Sequence, residues 1–335
     1  MSVRRNSFAA AVAFVAILVS GGARAEVSEL AVAQQYGIGY LSLMMMEDQR
    51  LIEKYAKLAG LDVKVTWARF AGGNVMNDAL ISGSLHIASG GVGPLVTLWS
   101  RTRGNLDVHG IAALNSMPLY LVSRNPAVRT VRDLTDKDRV GLPAAKVSVQ
   151  AVTLQMAAEQ TFGPGQQNKL DPLTVTLAHP DAMQALMSGQ SEVNAHFGSP
   201  PFQYQELAKP DNHMVLNSYD VMGGPATFNL VWTTAKFRSE NPKLYDAFVK
   251  ALDDATEQIG RDRHAAAVAY LRVSKDKDSV ENIEKMLNDP AIVFTTTPQS
   301  TQKFAEFMAK TGAIKTKPES WKDLYFPNVH ALPGS

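Results

Sequence analysis

Cysteine is absent from all 335 residues. That excludes disulfides, thiolate metal sites, a cysteine nucleophile and lipid attachment at a cleavage-site cysteine. Equally absent are the G-x-x-x-x-G-K-[ST] loop, the G-x-S-x-G elbow, the H-E-x-x-H pair and a complete G-x-G-x-x-G, the local patterns that carry nucleotide, nucleophile and metal chemistry. The seven histidines do not cluster at metal-ligand spacings, and no acid pair stands in an apolar setting. The expectation is a protein that is not an enzyme, with no cofactor, no metal and no catalytic residue.

Long apolar runs are lacking too. Residues 8–19, FAAAVAFVAILV, are too few to span a bilayer, which takes about 20. They follow Arg4 and Arg5 and precede Ala23-Arg24-Ala25. A basic start, a short apolar stretch and a small-x-small site read as a secretory leader, residues 1–25, cleaved before Glu26. Arg-Arg-Asn-Ser-Phe is a poor twin-arginine signal, so general secretion is expected. Outside this leader stand 30 basic side chains against 32 acidic ones, a net charge of −2. A nearly neutral exported chain is a poor partner for nucleic acid. About 310 residues suffice for two domains of roughly 150.

What the sequence does contain is a repeat. Residues 79–94, ALISGSLHIASGGVGP, and 185–200, ALMSGQSEVNAHFGSP, share Ala79/Ala185, Leu80/Leu186, Ser82/Ser188, Gly83/Gly189 and Pro94/Pro200, with Ile87 opposite Val193. The period of 106 is far beyond that of solenoids and implies two like lobes. Strand candidates at 30–35, 61–67 and 84–89 alternate with helices at 41–60, 74–82 and from Pro94. The second copy has strands at 139–144, 173–178 and 191–197 and a helix at 148–163, while His179-Pro180-Asp181 opens another helix. This β-α alternation predicts mostly parallel sheets flanked by helices. Apolar segments at 108–124 and 226–234 bracket the second copy as crossings, giving lobe 1 at 26–122, an inserted lobe 2 at 123–225, and a return to lobe 1 with C-terminal helices at 226–335. Asn241-Pro242 is the expected start of the first of these helices.

Ligands of open α/β sheets sit beyond the carboxyl ends of the strands, where helix N-termini favour anions. The candidate turns are 36–40 (Tyr36, Gly37, Tyr40), 72–74 (Gly73, Asn74) and 89–91 (Ser89, Gly90) in lobe 1. In lobe 2 they are 145–148 (Lys146, Ser148), 179–181 (His179) and 196–199 (His196, Phe197). Lys146 would bring a full positive charge to a helix start. Tyr36, Tyr40 and Phe197 would wall a cleft, and Met44, Met45 and Met46 read as core. Asn74, Ser148 and His179 suit helix caps as well as ligands, and His86 reads as packed or solvated.

The stretches QQYGIGYL (34–41), GGNVMNDALISG (72–83), IASGGVGPL (87–95), NSMPLYLV (115–122), LPAAKVSVQAVTLQMAAE (142–159), HPDAMQALMSG (179–189), HFGSPPFQYQE (196–206) and GGPATFNL (223–230) resemble the periplasmic substrate-binding proteins of ABC importers. The resemblance is to the nitrate/sulfonate/taurine group, related in fold to thiamine-pyrimidine binding proteins. It implies a type II-like periplasmic-binding-protein fold of two α/β lobes joined by two crossing strands. It also implies solute capture by hinge closure, with Asn115 and Ser116 at the crossing joining the site. The implied partners are a small solute, an inner-membrane permease and its ATPase, with the receptor itself monomeric and periplasmic. An organic anion is expected, sulfonate first; an aromatic or pyrimidine-type solute is the alternative. Pyrimidine-forming enzymes on the same scaffold use a cysteine-containing motif that this chain lacks, and a receptor signalling through a sensor is a third reading. One departure is His86, where relatives commonly carry an acid; its repeat counterpart Glu192 keeps it.

Overall fold

The computed structural model describes residues 25–335; of the expected leader, residues 1–24 lie outside the described residues. Strand Glu29–Gln34 pairs in parallel with Lys64–Arg69, placing Leu30 opposite Val65 and Val32 opposite Trp67. A parallel bridge from Val32 to Ile87 adds the strand Ala88–Gly91. Asn229–Thr234 then pairs antiparallel with that strand on one side and with Val108–Ala113 on the other. The second sheet repeats this layout. Thr174–Thr176, Val140–Leu142 and Ala195–Phe197 run in parallel, followed by antiparallel Tyr120–Ser123 and then His213–Asn217.

The two sheets match position by position, and in each the antiparallel fourth strand comes from the other side of a crossing. The chain leaves the first sheet after Ala113, enters the second at Tyr120, and returns between Asn217 and Asn229. Tyr120–Val122, placed by the sequence at the end of lobe 1, therefore already pairs in the second sheet. The reason is that this strand fills the slot that the return strand fills in the first sheet. The crossings lie side by side: Ser116 bridges Thr227, Phe228 N donates to Asn115 O at 3.2 Å, and Ser116 Oγ donates to Ala226 O at 2.9 Å.

The repeat at 79–94 and 185–200 now has a structural meaning. Helices Gly73–Ser82 and His179–Ser188 both stop at a glycine in the left-handed region, Gly83 at φ 77° and Gly189 at φ 70°. Glycine takes that conformation without Cβ strain, and each stop feeds the sheet's third strand. The stretch 41–60, read as one helix, breaks into Leu41–Asp48 and Leu51–Leu58 because Arg50 adopts φ 52°. The first piece is buried nearly throughout, Met45 and Met46 included, whereas the second buries one face. The turn between them lets each meet a different neighbour, and Arg272 holds its edge through two 2.6 Å bonds to Asp48.

Helix Pro242–Arg261 packs against Leu51–Leu58 and Leu41–Asp48. Its start is not capped by the Asn241 side chain. Glu26 accepts from Lys243 N and Leu244 N at 3.0 and 2.8 Å, while Asn241 Oδ1 accepts from Val27 N. An acid at a helix N-terminus satisfies free N–H groups and complements the dipole. His86 accepts from Ala31 N at 2.9 Å through Nδ1, so its imidazole serves a main-chain donor of the first strand.

Candidate functional site

The parallel strands of both sheets end in turns that meet across a seam between the lobes. Contact there is backbone against backbone. Ile38 N donates to Pro200 O at 2.9 Å. A Cβ built on Gly93 would lie 2.1 Å from Val147 O, one on Gly72 2.7 Å from Pro143 O, and one on Gly37, at φ 99°, 2.7 Å from Pro200 O. Glycine at these places lets the lobes close to main-chain contact.

A cavity of about 20 Å³ remains in the seam, room for about one water and for no organic molecule. Four helices begin at its wall: Gly73–Ser82 through Gly73, Val92–Thr102 through Gly91 and Pro94, Val149–Phe162 through Ser148 and Val149, and His179–Ser188 through His179. Each carries free N–H groups and partial positive charge at its first turn. Asn229 also lines the cavity; its Oδ1 accepts from Tyr40 OH at 3.2 Å, while its buried Nδ2 has no hydrogen-bond partner among the described residues. No lysine, arginine, aspartate or glutamate lines this space among the described residues. Burial, reinforced by neighbouring His196, holds His179 well below the usual imidazole range. The site is thus rich in donors and poor in fixed charge.

A second cavity, about 1080 Å³, lies on the other side of the same turns. Tyr36 and Gly37 border it where Gln35 borders the seam cavity, and Pro180 borders it where His179 borders the seam. Met44, Met183, Phe202, Tyr204, Tyr270 and Met286 supply its apolar walls, with Arg69, Lys275, Lys277 and Lys285 against Asp276, Asp278 and Asp289 around them. Tyr204 OH donates to Asp289 at 2.9 Å, and the Phe202 ring stacks on His179 with centroids 5.6 Å apart. Among the described residues no group of three or more histidine, aspartate or glutamate side chains could hold a metal ion.

Of the residues singled out from sequence, Tyr40, Gly73, Ser148 and His179 meet at the seam cavity, and Tyr36 and Gly37 face the larger one. Ser148 also caps its helix, accepting from Ala151 N at 3.1 Å. The others stand elsewhere. Ser89 is buried and donates to Ala33 O at 2.6 Å; Gly90 packs beneath Gln35 and Trp232. Asn115 and Ser116 are committed to hinge bonds, Asn115 Nδ2 donating to Gly39 O at 2.6 Å and Ser116 Oγ bonding to Ala226 O and Tyr219 OH. Asn74 is exposed in the first turn of its helix and lines neither cavity. Lys146 sits in a left-handed turn, φ 68°, which leaves it exposed and outside both cavities. Phe197 is enclosed in the core by its position mid-sheet, not in a cleft wall. His196 lies behind His179, linked to it at 2.8 Å.

Sequence reasoning missed Gln35, Gln150, Asn229, Phe202 and Tyr204. The Gln34-Gln35 pair ending an apolar strand was a usable signal for the first. Asn229 had none, since it sits inside an apolar return strand 189 residues from Tyr40.

A family model described as the NMT1-like family matches residues 23–273, three quarters of the chain. No curated protein matches it. Among solved structures it is similar to the alkanesulfonate-binding protein SsuA from Xanthomonas axonopodis pv. citri bound to MOPS, at 18% identity and TM-score 0.68, covering 88% of this chain and 96% of that one. The periplasmic aliphatic sulphonate binding protein SsuA from Escherichia coli is similar at 17% identity and TM-score 0.65, covering 90% and 92%. The periplasmic nitrate-binding protein NrtA from Synechocystis PCC 6803 is similar at 14% and 0.68, covering 89% and 84%. At these identities the likeness is one of fold, and the fold is the two-lobed α/β architecture of periplasmic binding proteins expected from the sequence.

Proposed function

The chain belongs to the NMT1-like family, and from that premise we propose that it is the periplasmic solute-binding component of an ABC importer. It captures a small organic anion, sulfonate first, between its lobes and delivers it to a membrane permease and its ATPase, acting as a monomer without chemistry of its own. The observation that carries this reading is the seam cavity, where four helix N-termini converge beside Asn229, whose Nδ2 has no partner among the described residues. Anionic groups suit such donors. The cavity holds about one water, so a solute enters only when the lobes part about the paired crossings at Ser116 and Thr227. The anionic head then lies at the seam and the organic portion against Tyr36 in the larger cavity. Solved relatives of this fold that bind sulfonates or nitrate support the ligand class.

The same proposal includes export through a leader cleaved after Ala25 and a second lobe inserted between the two crossings, with Tyr120–Val122 on its side of the first. The aromatic walls of the larger cavity, Tyr36, Phe202, Tyr204 and Tyr270, favour a second reading, an aromatic or pyrimidine-type solute. Thermal unfolding of purified protein with taurine, other sulfonates, nitrate, bicarbonate, aromatic acids and pyrimidines separates the two. A ligand at 100 times its Kd adds about 2.7 kcal/mol, a shift of several degrees. Asn229→Ala should weaken the anion roughly tenfold or more, about 1.4 kcal/mol. Stabilisation by neutral solutes alone would overturn the anion reading, and turnover of any bound compound would overturn the receptor reading.

A further inference from the structure

A line of buried polar side chains runs from the seam cavity into the second lobe. The Gln150 amide meets His179 Nε2 at 3.2 Å, His179 Nδ1 meets His196 Nε2 at 2.8 Å, and His196 Nδ1 meets Glu206 Oε1 at 2.5 Å. Gln150 and His179 face the cavity, whereas His196 and Glu206 are fully enclosed. Packing does not explain this line. Glu206 Oε2 has no hydrogen-bond partner among the described residues, and the ion-pair partner of Glu206 is His196. Apolar side chains of similar volume would fill the space with less loss of hydration.

The line can be ordered in two directions. If the Gln150 amide N–H donates, each histidine passes its donor inward and the line ends on a carboxylate buried without a cation, which the interior strongly disfavours. In the opposite order Glu206 Oε1–H donates to His196 Nδ1 and His196 Nε2–H donates to His179 Nδ1. His179 Nε2–H then points to Gln150, whose amide oxygen and nitrogen exchange places without change of shape. All four groups are then neutral. Burial acts in the same sense, pushing Glu206 well above the carboxylate range and His196 down to about 3. Gln150 and the Phe202 ring meet the line, Val122 stands in register with His196, and Lys209, three residues after Glu206, spends its ammonium on Met187 O at 2.9 Å.

We propose that an anion entering the seam cavity draws a proton along this line, so that His179 becomes the cation of the site and Glu206 its buried counter-charge. This rests on the anion reading of the cavity. The Glu206 proton passes to His196 Nδ1 as the His196 Nε2 proton passes to His179 Nδ1. Glu206 ends as a carboxylate, His196 as the other neutral tautomer, and His179 as an imidazolium donating from both nitrogens. No proton is taken from solvent. A cavity without lysine or arginine thereby meets its ligand with a full positive charge, present only while the ligand is there.

The test combines isothermal titration with ethanesulfonate, nitrate and benzoate from pH 6 to 8.5 with ¹⁵N NMR of the histidine rings. In the native protein the affinity for the bound anion should stay within twofold across this range, while the His179 nitrogens move to imidazolium values. Glu206→Gln places an amide that still donates to His196 but has no proton to release. Its affinity should fall about tenfold per pH unit, because the proton must now come from solvent. Ring nitrogens that stay neutral with the anion bound would overturn the proposal, and that measurement stands even if the variant fails to fold. A flat pH profile in Glu206→Gln would overturn it equally. Failure of the native protein to bind any of the three anions would instead remove the anion reading, and this inference with it.

Discussion

Gly93→Ala isolates lobe closure from folding. Gly93 lies in the first turn of Val92–Thr102, and a Cβ there would meet Val147 O at 2.1 Å, where real Cβ contacts do not fall below 3.0 Å. The obstacle is main chain, so no rotamer change relieves it, and the two turns must separate by about 1 Å. Overpacking of this kind costs about 1–3 kcal/mol. Because the lobes can open, the cost falls on the closed form alone, and ligand affinity should weaken by about five- to 150-fold. Within its own lobe the substitution is benign, since alanine is favoured over glycine in a helix by up to about 1 kcal/mol. Isothermal titration with the best anion from the thermal screen gives the affinity, and unfolding without ligand gives the stability. Gly260→Ala, in an exposed helical position with no atom within 4 Å of the new Cβ, should leave affinity unchanged. Native affinity in Gly93→Ala would refute the claim that the seam is the closure surface. A lowered melting temperature without ligand would show that Gly93 serves folding instead.

Lys146→Ala should leave anion affinity within twofold, because the side chain is exposed and lines neither cavity; a tenfold loss by titration would return Lys146 to the site. Gly83→Ala and Gly189→Ala should each destabilise by about 1–2 kcal/mol in urea unfolding, the strain of a left-handed Cβ, since no atom stands closer than 3.6 Å to either new Cβ. Loss in one lobe with neutrality in the other would contradict the equivalence of the two stops. At Asp138 burial alone would raise the carboxyl pKa, but hydrogen bonds from Thr135, Asn125 and Asn194 outweigh it and hold the pKa below its usual value. A depressed carboxyl stabilises the fold above the unfolded-state pKa, 3.8, and loses that contribution as pH falls through its lower folded value. The melting-temperature gap between native protein and Asp138→Ala should therefore be constant near neutrality and narrow below about pH 3.8. A gap that widens in acid would reverse the sign of the argument.

What could be read without coordinates was what neighbours in sequence determine. The Ser-Gly stops at Gly83 and Gly189, the buried strands that follow them and the 106-residue period are local features, and together they specified two like lobes of parallel sheet. Turn composition at 36–40, 72–74 and 145–148 identified the faces that meet, because ligand-side turns in such sheets follow the strands. The tertiary structure decided which side chains in those turns point inward. Lys146 turns to solvent because its own backbone is left-handed, and Phe197 is swallowed by a strand that the crossing places beside it. Asn229 reaches Tyr40, Glu26 caps a helix some 217 residues onward, and Glu206 stands behind two histidines from different turns. None of these pairings leaves a trace at short range, since distance along the chain carries no information about which polar groups a closed seam will bury together. Composition could say that the site has donors. Only the packing of the two lobes could say that no lysine or arginine among the described residues lines it.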